Sequence, residues 1–223
     1  MCSHFYKLGL VALVLLSSCA SLVPVNNHFE RAATLGKGNA EVSGQVSRYR
    51  VSAYGRNDLT NSNYGLQAGY GITDNFDLKL RYEQIEVAHQ HVRGLQRGRY
   101  FSLIPKLSLA PDRLAAFMPV SVYDLTYRFD ERRSKRTMAS IAPHLIYTQP
   151  VWRNHVDLSL GFNADLVMSR GATSLFIGSQ LGAGFSTDLK RWALRPEIAY
   201  NTNADARLWN YGLSFQWTIP LRK

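Results

Sequence analysis

Cysteine is almost absent from this 223-residue chain, because its only two cysteines, Cys2 and Cys19, both lie in the first 19 residues. Beyond them, a disulfide framework and a cysteine-based metal site are excluded. Long apolar runs are missing too: residues 8–16 are far shorter than the roughly 20 residues that a membrane-spanning helix needs. No long stretch keeps the apolar period of an amphipathic helix either, so the chain is not expected to be helical.

Acidic residues are in the minority, with 16 against 26 lysines and arginines, and the formal net charge is +10. The run at 8–16 follows Lys7 and is typical of the hydrophobic region of a secretion signal. For a protein exposed at the cell surface, as the strand pattern below predicts, we expect no nucleic-acid partner despite the basic charge. The remaining chain is long enough for one sizeable domain.

The residues after the apolar run, Leu16-Ser17-Ser18-Cys19, resemble a bacterial lipobox. The resemblance implies that residues 1–18 are a lipoprotein signal peptide, and that Cys19 becomes the lipidated N-terminus of the mature chain. Ala20 stands where an Asp would signal retention in the inner membrane, which favours the outer membrane. Two or three acyl chains make a stable anchor. Residues 19–38 are polar and are predicted to be a tether for a domain that covers residues 39–223.

Residues 64–83 alternate strictly between apolar and polar or small side chains on both sides of a three-residue turn. This pattern is typical of two half-buried strands in a hairpin. One face carries Leu78, Leu80 and Tyr82, while the other carries Asp77, Lys79, Arg81 and Glu83. A soluble sheet would bury the apolar face, whereas a membrane barrel turns it to lipid and keeps the polar face in its lumen.

The same alternation recurs along the chain and predicts ten strands, most of a length that crosses a bilayer when tilted. Short and long connections alternate, as in barrels with tight periplasmic turns and larger outer loops, with residues 168–172 as a short exception. An even number of strands leaves both termini on the periplasmic side, where a lipidated Cys19 would lie. The predicted strands cover residues 41–54, 64–72, 76–83, 99–109, 114–123, 137–148, 156–166, 173–186, 192–200 and 209–219.

Two features of the strands are irregular. The apolar parity of the first strand switches between Val46 and Tyr49, which suggests a β-bulge. Four prolines lie in mid-strand, where proline cannot donate to the ladder, so we expect bulges or lost hydrogen bonds there. These prolines are Pro105, Pro119, Pro143 and Pro196.

In the last strand, a polar residue stands two positions before Gly212, and the aromatic residues Phe215 and Trp217 follow it. This spacing resembles the terminal strand signal of bacterial outer-membrane barrels. Lys223, and not an aromatic residue, ends the chain. With the lipobox, this makes the chain look like a lipidated outer-membrane protein, an all-β antiparallel up-and-down barrel of about ten strands. The resemblance implies that the barrel-assembly machinery is a partner during biogenesis. A periplasmic lipoprotein with a lipocalin-like or sandwich fold remains the structural alternative.

The lumen is predicted to hold a network of charged side chains that pair across the barrel, because an unpaired charge in a narrow lumen is costly. Ten strands lie near the size at which side chains fill the interior. Small lumen residues such as Gly65, Gly69 and Gly184 leave space, so a narrow pore stays open as an alternative. The predicted network consists of Asp77, Lys79, Arg81, Glu83, Asp157, Asp165, Arg195 and Glu197.

Basic residues cluster in two predicted outer loops, where they would face anionic lipid-A phosphates. We therefore expect outer-membrane lipid as a partner. The sequence indicates no cofactor, metal site or catalytic residue. It leaves the oligomeric state open. The leading functional hypothesis is a non-enzymatic structural or surface-binding barrel. A pore for small polar solutes and a barrel enzyme acting on lipid A, phospholipid or peptides are the alternatives. The basic residues are Arg93, Arg97, Arg99, Arg132, Arg133, Lys135 and Arg136.

Overall fold

The computed structural model describes residues 27–53, 56–87, 94–129, 132–170 and 172–221, and these form one closed antiparallel β-barrel. Neighbouring strands are antiparallel around the whole sheet, and β12 pairs with β1 to close it. Among the described residues, no helix is long and apolar enough to cross a membrane. The strands are β1 (Asn39–Ala53), β2 (Arg56–Gly71), β3 (Phe76–Val87), β4 (Gly94–Ala110), β5 (Leu114–Phe117), β6 (Val120–Phe129), β7 (Arg132–Ile141), β8 (His144–Trp152), β9 (Val156–Ser169), β10 (Ala172–Phe185), β11 (Trp192–Thr202) and β12 (Ala206–Pro220).

Twelve strand segments make ten positions around the barrel, which confirms the predicted count. β5 and β6 both pair with β4, so they are two halves of one strand interrupted at Pro119. β7 and β8 both pair with β9 and are likewise two halves interrupted at Pro143. The interruptions therefore break regular pairing locally and leave the course of the chain unchanged.

Three of the four mid-strand prolines lie in neighbouring strands and form a row across the sheet. The carbonyl of Pro105 accepts the amide of Met118 at 3.1 Å, and Pro119 and Pro143 accept Ala142 and Ala164 in the same way. A paired residue in an antiparallel ladder normally exchanges two hydrogen bonds, and each proline keeps only the one it accepts. The four register shifts among the described strands lie elsewhere, so the expectation of lost hydrogen bonds, and not of bulges, is confirmed at this row.

The side chains divide as a membrane barrel requires. Leu158, Leu160 and Phe162 point outward and are 43–57% exposed, whereas Lys79 and Arg81 point inward and are 2% exposed. An apolar belt of this kind runs around the exterior, and it is the surface that lipid would cover. The predicted orientation of the alternating faces is thus confirmed.

At the end of the barrel away from the short turns, polar side chains face outward and apolar side chains face inward. There Arg48, Arg50 and Gln84 face outward, while Tyr49 and Ile85 are buried inside. Parity is unbroken through residues 41–51, so the bulge predicted between Val46 and Tyr49 is wrong. The polarity changes because the strands continue past the lipid belt into water, where an apolar interior is favoured. We call this interior cluster the apolar cap; it comprises Tyr49, Val51, Ile85, Tyr100, Tyr123, Leu125, Met138, Val167, Phe176 and Leu208.

Candidate functional site

The lumen is occupied by the chain itself. Residues 27–38, the described part of the predicted tether, lie inside the barrel and lead from mid-lumen to the start of β1. We call this segment the N-terminal plug. Asn27, His28, Phe29 and Glu30 are at most 2% exposed, so the segment is as buried as a protein core. The prediction of a polar tether did not include this placement.

Glu30 is the ionic centre of the plug. Its carboxylate accepts hydrogen bonds from Lys79 at 2.8 and 3.0 Å and from Lys106 at 3.1 Å. Lys79 also bonds Glu41 at 2.9 Å, and Gln67 donates to Glu30 at 3.2 Å. Each of the four charges is at most 5% exposed, so their attraction is little weakened by water. The plug therefore supplies an anion that two lumen lysines need.

Carboxylates of the barrel wall also accept hydrogen bonds from backbone N–H groups of the plug. The carboxylate of Glu197 accepts the amides of His28 at 2.8 Å and Phe29 at 2.9 Å. Asp77 accepts the amide of Leu35 at 3.0 and 3.1 Å, so two predicted network acids hold backbone N–H groups and not cations. Such charge-assisted bonds are stronger than neutral ones. The structure therefore extends the predicted side-chain network to the backbone of a segment that fills the lumen.

Glycines in the wall make room for this segment. A Cβ added to Gly212 would lie 2.7 Å from the Phe29 ring, and one added to Gly69 would lie 3.3 Å from Leu35. Glycine in a strand often marks such a close approach. The space that the lumen glycines were expected to leave for a solute is, at these positions, taken by the plug.

Two further charge pairs of the predicted network are present. Arg195 donates to both oxygens of Asp157 at 2.8 and 3.0 Å, and its Nε donates to Gln216 at 3.3 Å. Arg81 pairs with Glu83, its neighbour along the same face of β3. Because Arg195 is completely buried, this pairing satisfies a charge that water cannot reach.

Asp165 departs from the expected pairing. It is 3% exposed and lies between the plug and the apolar cap, and among the described residues it forms no ion pair with a cation. Its Oδ1 has no protein partner in the described part of the chain, and the inward residues before and after it on β9 are Asn163 and Val167, the latter a member of the apolar cap. The lumen thus has an ionic layer around the plug and the apolar cap at the outer end, with Asp165 between them.

His155 and Asp157, two positions apart in the chain, contact different partners. Asp157, the acid nearest in sequence to His155, is engaged by Arg195, while His155 Nδ1 lies 3.2 Å from the carbonyl of Ser186. Within the described ranges, no group of three or more His, Cys, Asp or Glu side chains could hold a metal ion.

The six described residues of the predicted basic loops lie on strands, which corrects their predicted setting. Arg97 and Arg99 lie on β4, and Lys135 and Arg136 lie on β7, because both strands continue beyond the lipid belt. Arg132 and Arg133 are also on β7, but their side chains are outside the described set, as are Arg93 and Cys19 as a whole. We call the outward face above the belt the basic wall. Its exposed cations are Arg48, Arg50, Arg97, Arg99, Lys135 and Arg207, and the described carboxylates on the same strand faces are Glu86 and Asp124.

The residues of the terminal strand signal have distinct places in β12. Phe215 and Trp217 belong to the outer apolar belt, at 48% and 55% exposure. Gly212 faces the lumen next to the Phe29 ring. Phe215 and Trp217 thus contribute to the lipid-facing surface, and Gly212 leaves space for the plug.

No protein-family model matches the sequence, and no curated protein matches it. Among solved structures the chain is similar to the attachment invasion locus protein Ail of Yersinia pestis, with 11% identity and a TM-score of 0.38 over 82% of this chain and 99% of that one. It is also similar to the translocator domain of the autotransporter NalP from Neisseria meningitidis, with 9% identity and a TM-score of 0.46 over 96% and 94% of the two chains. The outer membrane protein OprG of Pseudomonas aeruginosa is matched at 10% identity and a TM-score of 0.35 over 84% and 99%. These similarities concern the fold alone.

Sequence reasoning missed three of the eight described lumen residues that form ion pairs, namely Glu30, Glu41 and Lys106. Lys106 and Glu41 both follow the inward parity of their predicted strands, so a stricter count of inward positions would have found them. Glu30 carried no such signal, because it lies outside any strand.

Proposed function

We propose that the protein is a non-enzymatic lipoprotein of the bacterial outer membrane, with a sealed barrel and a basic outer wall that binds anionic lipid. The observation that carries the proposal is the occupied lumen: the plug is bonded to the wall through Glu30, Glu197 and Asp77, and the apolar cap lies above it. A barrel closed in this way acts through its surfaces and not as a conduit.

Polar, charged and apolar layers follow one another along the lumen. We therefore expect the full-length protein to conduct no ionic current across a bilayer. A hydrophobic constriction such as the apolar cap opposes the passage of ions by excluding water. Purified full-length protein reconstituted in planar bilayers should give no stepwise current. Steady single-channel steps from folded protein would contradict the seal and favour the narrow pore.

The basic wall is suited to lipid phosphates because its cations are on rigid strands next to the lipid belt. Arg97 and Lys135 flank Thr126 on neighbouring strands, and together with Arg99 they line a recess of about 110 Å³. Within the described residues, none of these three cations forms an ion pair. Asp124 lines the same recess and lies opposite Arg99 in the β4–β6 ladder, so the recess holds three cations and one carboxylate. Its net positive charge faces anionic headgroups on the side of the barrel opposite the short turns.

Removing three wall cations should therefore weaken binding of lipid A strongly. A cation near an anionic lipid surface contributes about 1 kcal/mol, so the variant Arg97→Gln/Arg99→Gln/Lys135→Gln should lose about 3 kcal/mol, or roughly 150-fold in affinity. The measurement is titration of detergent-solubilised protein with fluorescent lipid A at several salt concentrations.

The matched control carries the same change of charge at the opposite end of the barrel. Arg153, Lys190 and Arg191 are exposed at the short turns, and their replacement by glutamine should leave the affinity for lipid A nearly unchanged. An equal loss in both variants would mean that only net charge matters and that the wall is no binding surface.

The lipid anchor at Cys19 completes the proposal, with the acyl chains on the periplasmic side. An extended chain from Cys19 to Asn27 spans at most about 28 Å, so lipid on Cys19 would enter the bilayer beside this barrel. Radiolabelled palmitate should be incorporated by the wild type and not by Cys19→Ser. The Cys19→Ser protein should still require detergent for extraction, because the apolar belt remains, and its release into aqueous buffer would overturn the membrane assignment.

A further inference from the structure

On the long-loop side, the edge of β7 that faces β9 has no strand partner among the described residues. β7 pairs with β6 along its whole length, from Arg132 to Ile141. On its other side it pairs with β9 only through its last three residues, because β9 ends at Ser169 and turns back into β10. The β6–β7 hairpin therefore rises above the β9–β10 hairpin and leaves a notch beside it.

The alternation of the ladder identifies the backbone groups that face the notch. Ala142 donates its amide to Pro119 on the β6 side, whereas Pro143 presents its carbonyl to Ala164 of β9. Successive residues of a strand direct their amide and carbonyl groups to opposite sides. Lys135 and Thr137 consequently point their backbone groups into the notch, where no strand among the described residues pairs with them.

The notch is polar and basic. It forms a cavity of about 490 Å³. Three of its lining residues are cationic, three carry hydroxyl groups and none carries a carboxylate. The lining residues are Ser134, Lys135, Arg136, Thr137, Ser169 and Arg170.

We propose that this notch binds an extended acidic segment of another protein, which adds a strand to the exposed edge of β7. Backbone pairing would supply the affinity, and the three cations would select acidic side chains, as in other cases of strand addition. An open edge of this kind is normally blocked or covered because it promotes pairing with other chains. The proposal does not depend on what the lumen or the anchor does.

Charge decides against a second copy of this chain as the occupant. Two β7 edges that paired with each other would bring Lys135, Arg136 and Arg170 of both copies together, and like charges placed opposite one another destabilise a strand pair. A lipid headgroup or inorganic phosphate could meet the cations but has no row of amides and carbonyls to pair with Lys135 and Thr137.

The test uses full-length detergent-solubilised protein and a fluorescent heptapeptide of alternating glutamate and valine. We expect saturable binding by this peptide and no binding by its lysine–valine counterpart. The same acidic peptide with alternate backbone nitrogens methylated keeps its charges but cannot pair with an edge. Each lost bond weakens binding about fivefold, so the methylated peptide should bind at least tenfold more weakly.

Two substitutions of one residue make the matched pair on the protein side. Thr137→Pro removes the amide that points into the notch and leaves the β6 ladder intact, so it should weaken binding at least about fivefold. Thr137→Val keeps that amide and should bind like the wild type.

Equal binding of the methylated and unmethylated peptides, or full competition by inorganic phosphate, would show a site for anions only and overturn the proposal. Absence of binding by the acidic peptide would overturn it as well. The peptide comparison uses only wild-type protein, so it decides the matter even if Thr137→Pro fails to fold.

Discussion

Replacing Glu30 by alanine is expected to lower the free energy of unfolding by about 3–5 kcal/mol, the cost of leaving a buried charge without its partner. Lys79 would keep Glu41, but Lys106 would lose its only ion-pair partner in the described structure. The measurement is urea unfolding of the barrel in lipid vesicles, followed by tryptophan fluorescence and by the mobility of unheated samples on gels.

Two variants show whether the effect comes from the plug. Glu86→Ala removes an exposed glutamate on the outer face of β3 and should change stability by less than about 0.5 kcal/mol. Glu30→Gln/Lys106→Met removes both members of the buried pair and should recover a large part of the loss, since an apolar replacement for a buried pair is often tolerated. If Glu30→Ala and Glu86→Ala unfold at the same urea concentration, the ionic attachment of the plug is wrong.

Replacing Arg195 by methionine should have an effect of similar size on the opposite side of the lumen. Asp157 would then keep only the amide of Gly184, at 3.1 Å, as a hydrogen-bond donor among the described residues. The Arg195 side chain also fills the space above Gly184, because a Cβ there would lie 2.6 Å from its guanidinium. The expected loss is again about 3–5 kcal/mol in the same unfolding measurement.

The surface pair Arg191–Asp188 provides the comparison for Arg195. Its nearest atoms are 3.7 Å apart and the arginine side chain is 81% exposed, so Arg191→Met should cost at most about 1 kcal/mol. Asp157→Asn/Arg195→Met should be more stable than Arg195→Met alone because no charge remains unpaired. A double variant that is the least stable of the set would argue against a simple ion pair.

Most of the barrel could be predicted because a strand has a side-chain period of two. The alternation of Leu78, Leu80 and Tyr82 with Lys79 and Arg81 places the two sets on opposite faces in any regular strand. The face that carries paired charges and small residues is then assigned to the lumen, and the apolar face is assigned to the lipid. The same local logic misplaced the end of the first strand, where Tyr49 and Val51 keep their parity but the solvent outside changes from lipid to water.

The plug could not be predicted in this way because its contacts join residues far apart in the chain. Phe29 meets Gly212 and the carboxylate of Glu197, more than 160 positions away, and nothing in the alternation of β11 or β12 points to it. The lumen glycines suggested empty space because their neighbours across the barrel are unknown until the sheet closes. The placement of cations on β4 and β7, and not in loops, likewise depends on how far those strands rise beside their neighbours.

The amino-acid sequence by itself determined an antiparallel barrel with its apolar face outward, because alternation is a local property that each strand carries independently. Only the tertiary structure decided what occupies the lumen and which strand edge stays open. Both depend on closure of the sheet and on the relative heights of its hairpins. Closure brings Glu30 to Lys79 and Lys106, and the difference in height leaves the edge of β7 without a strand partner in the described part of the chain.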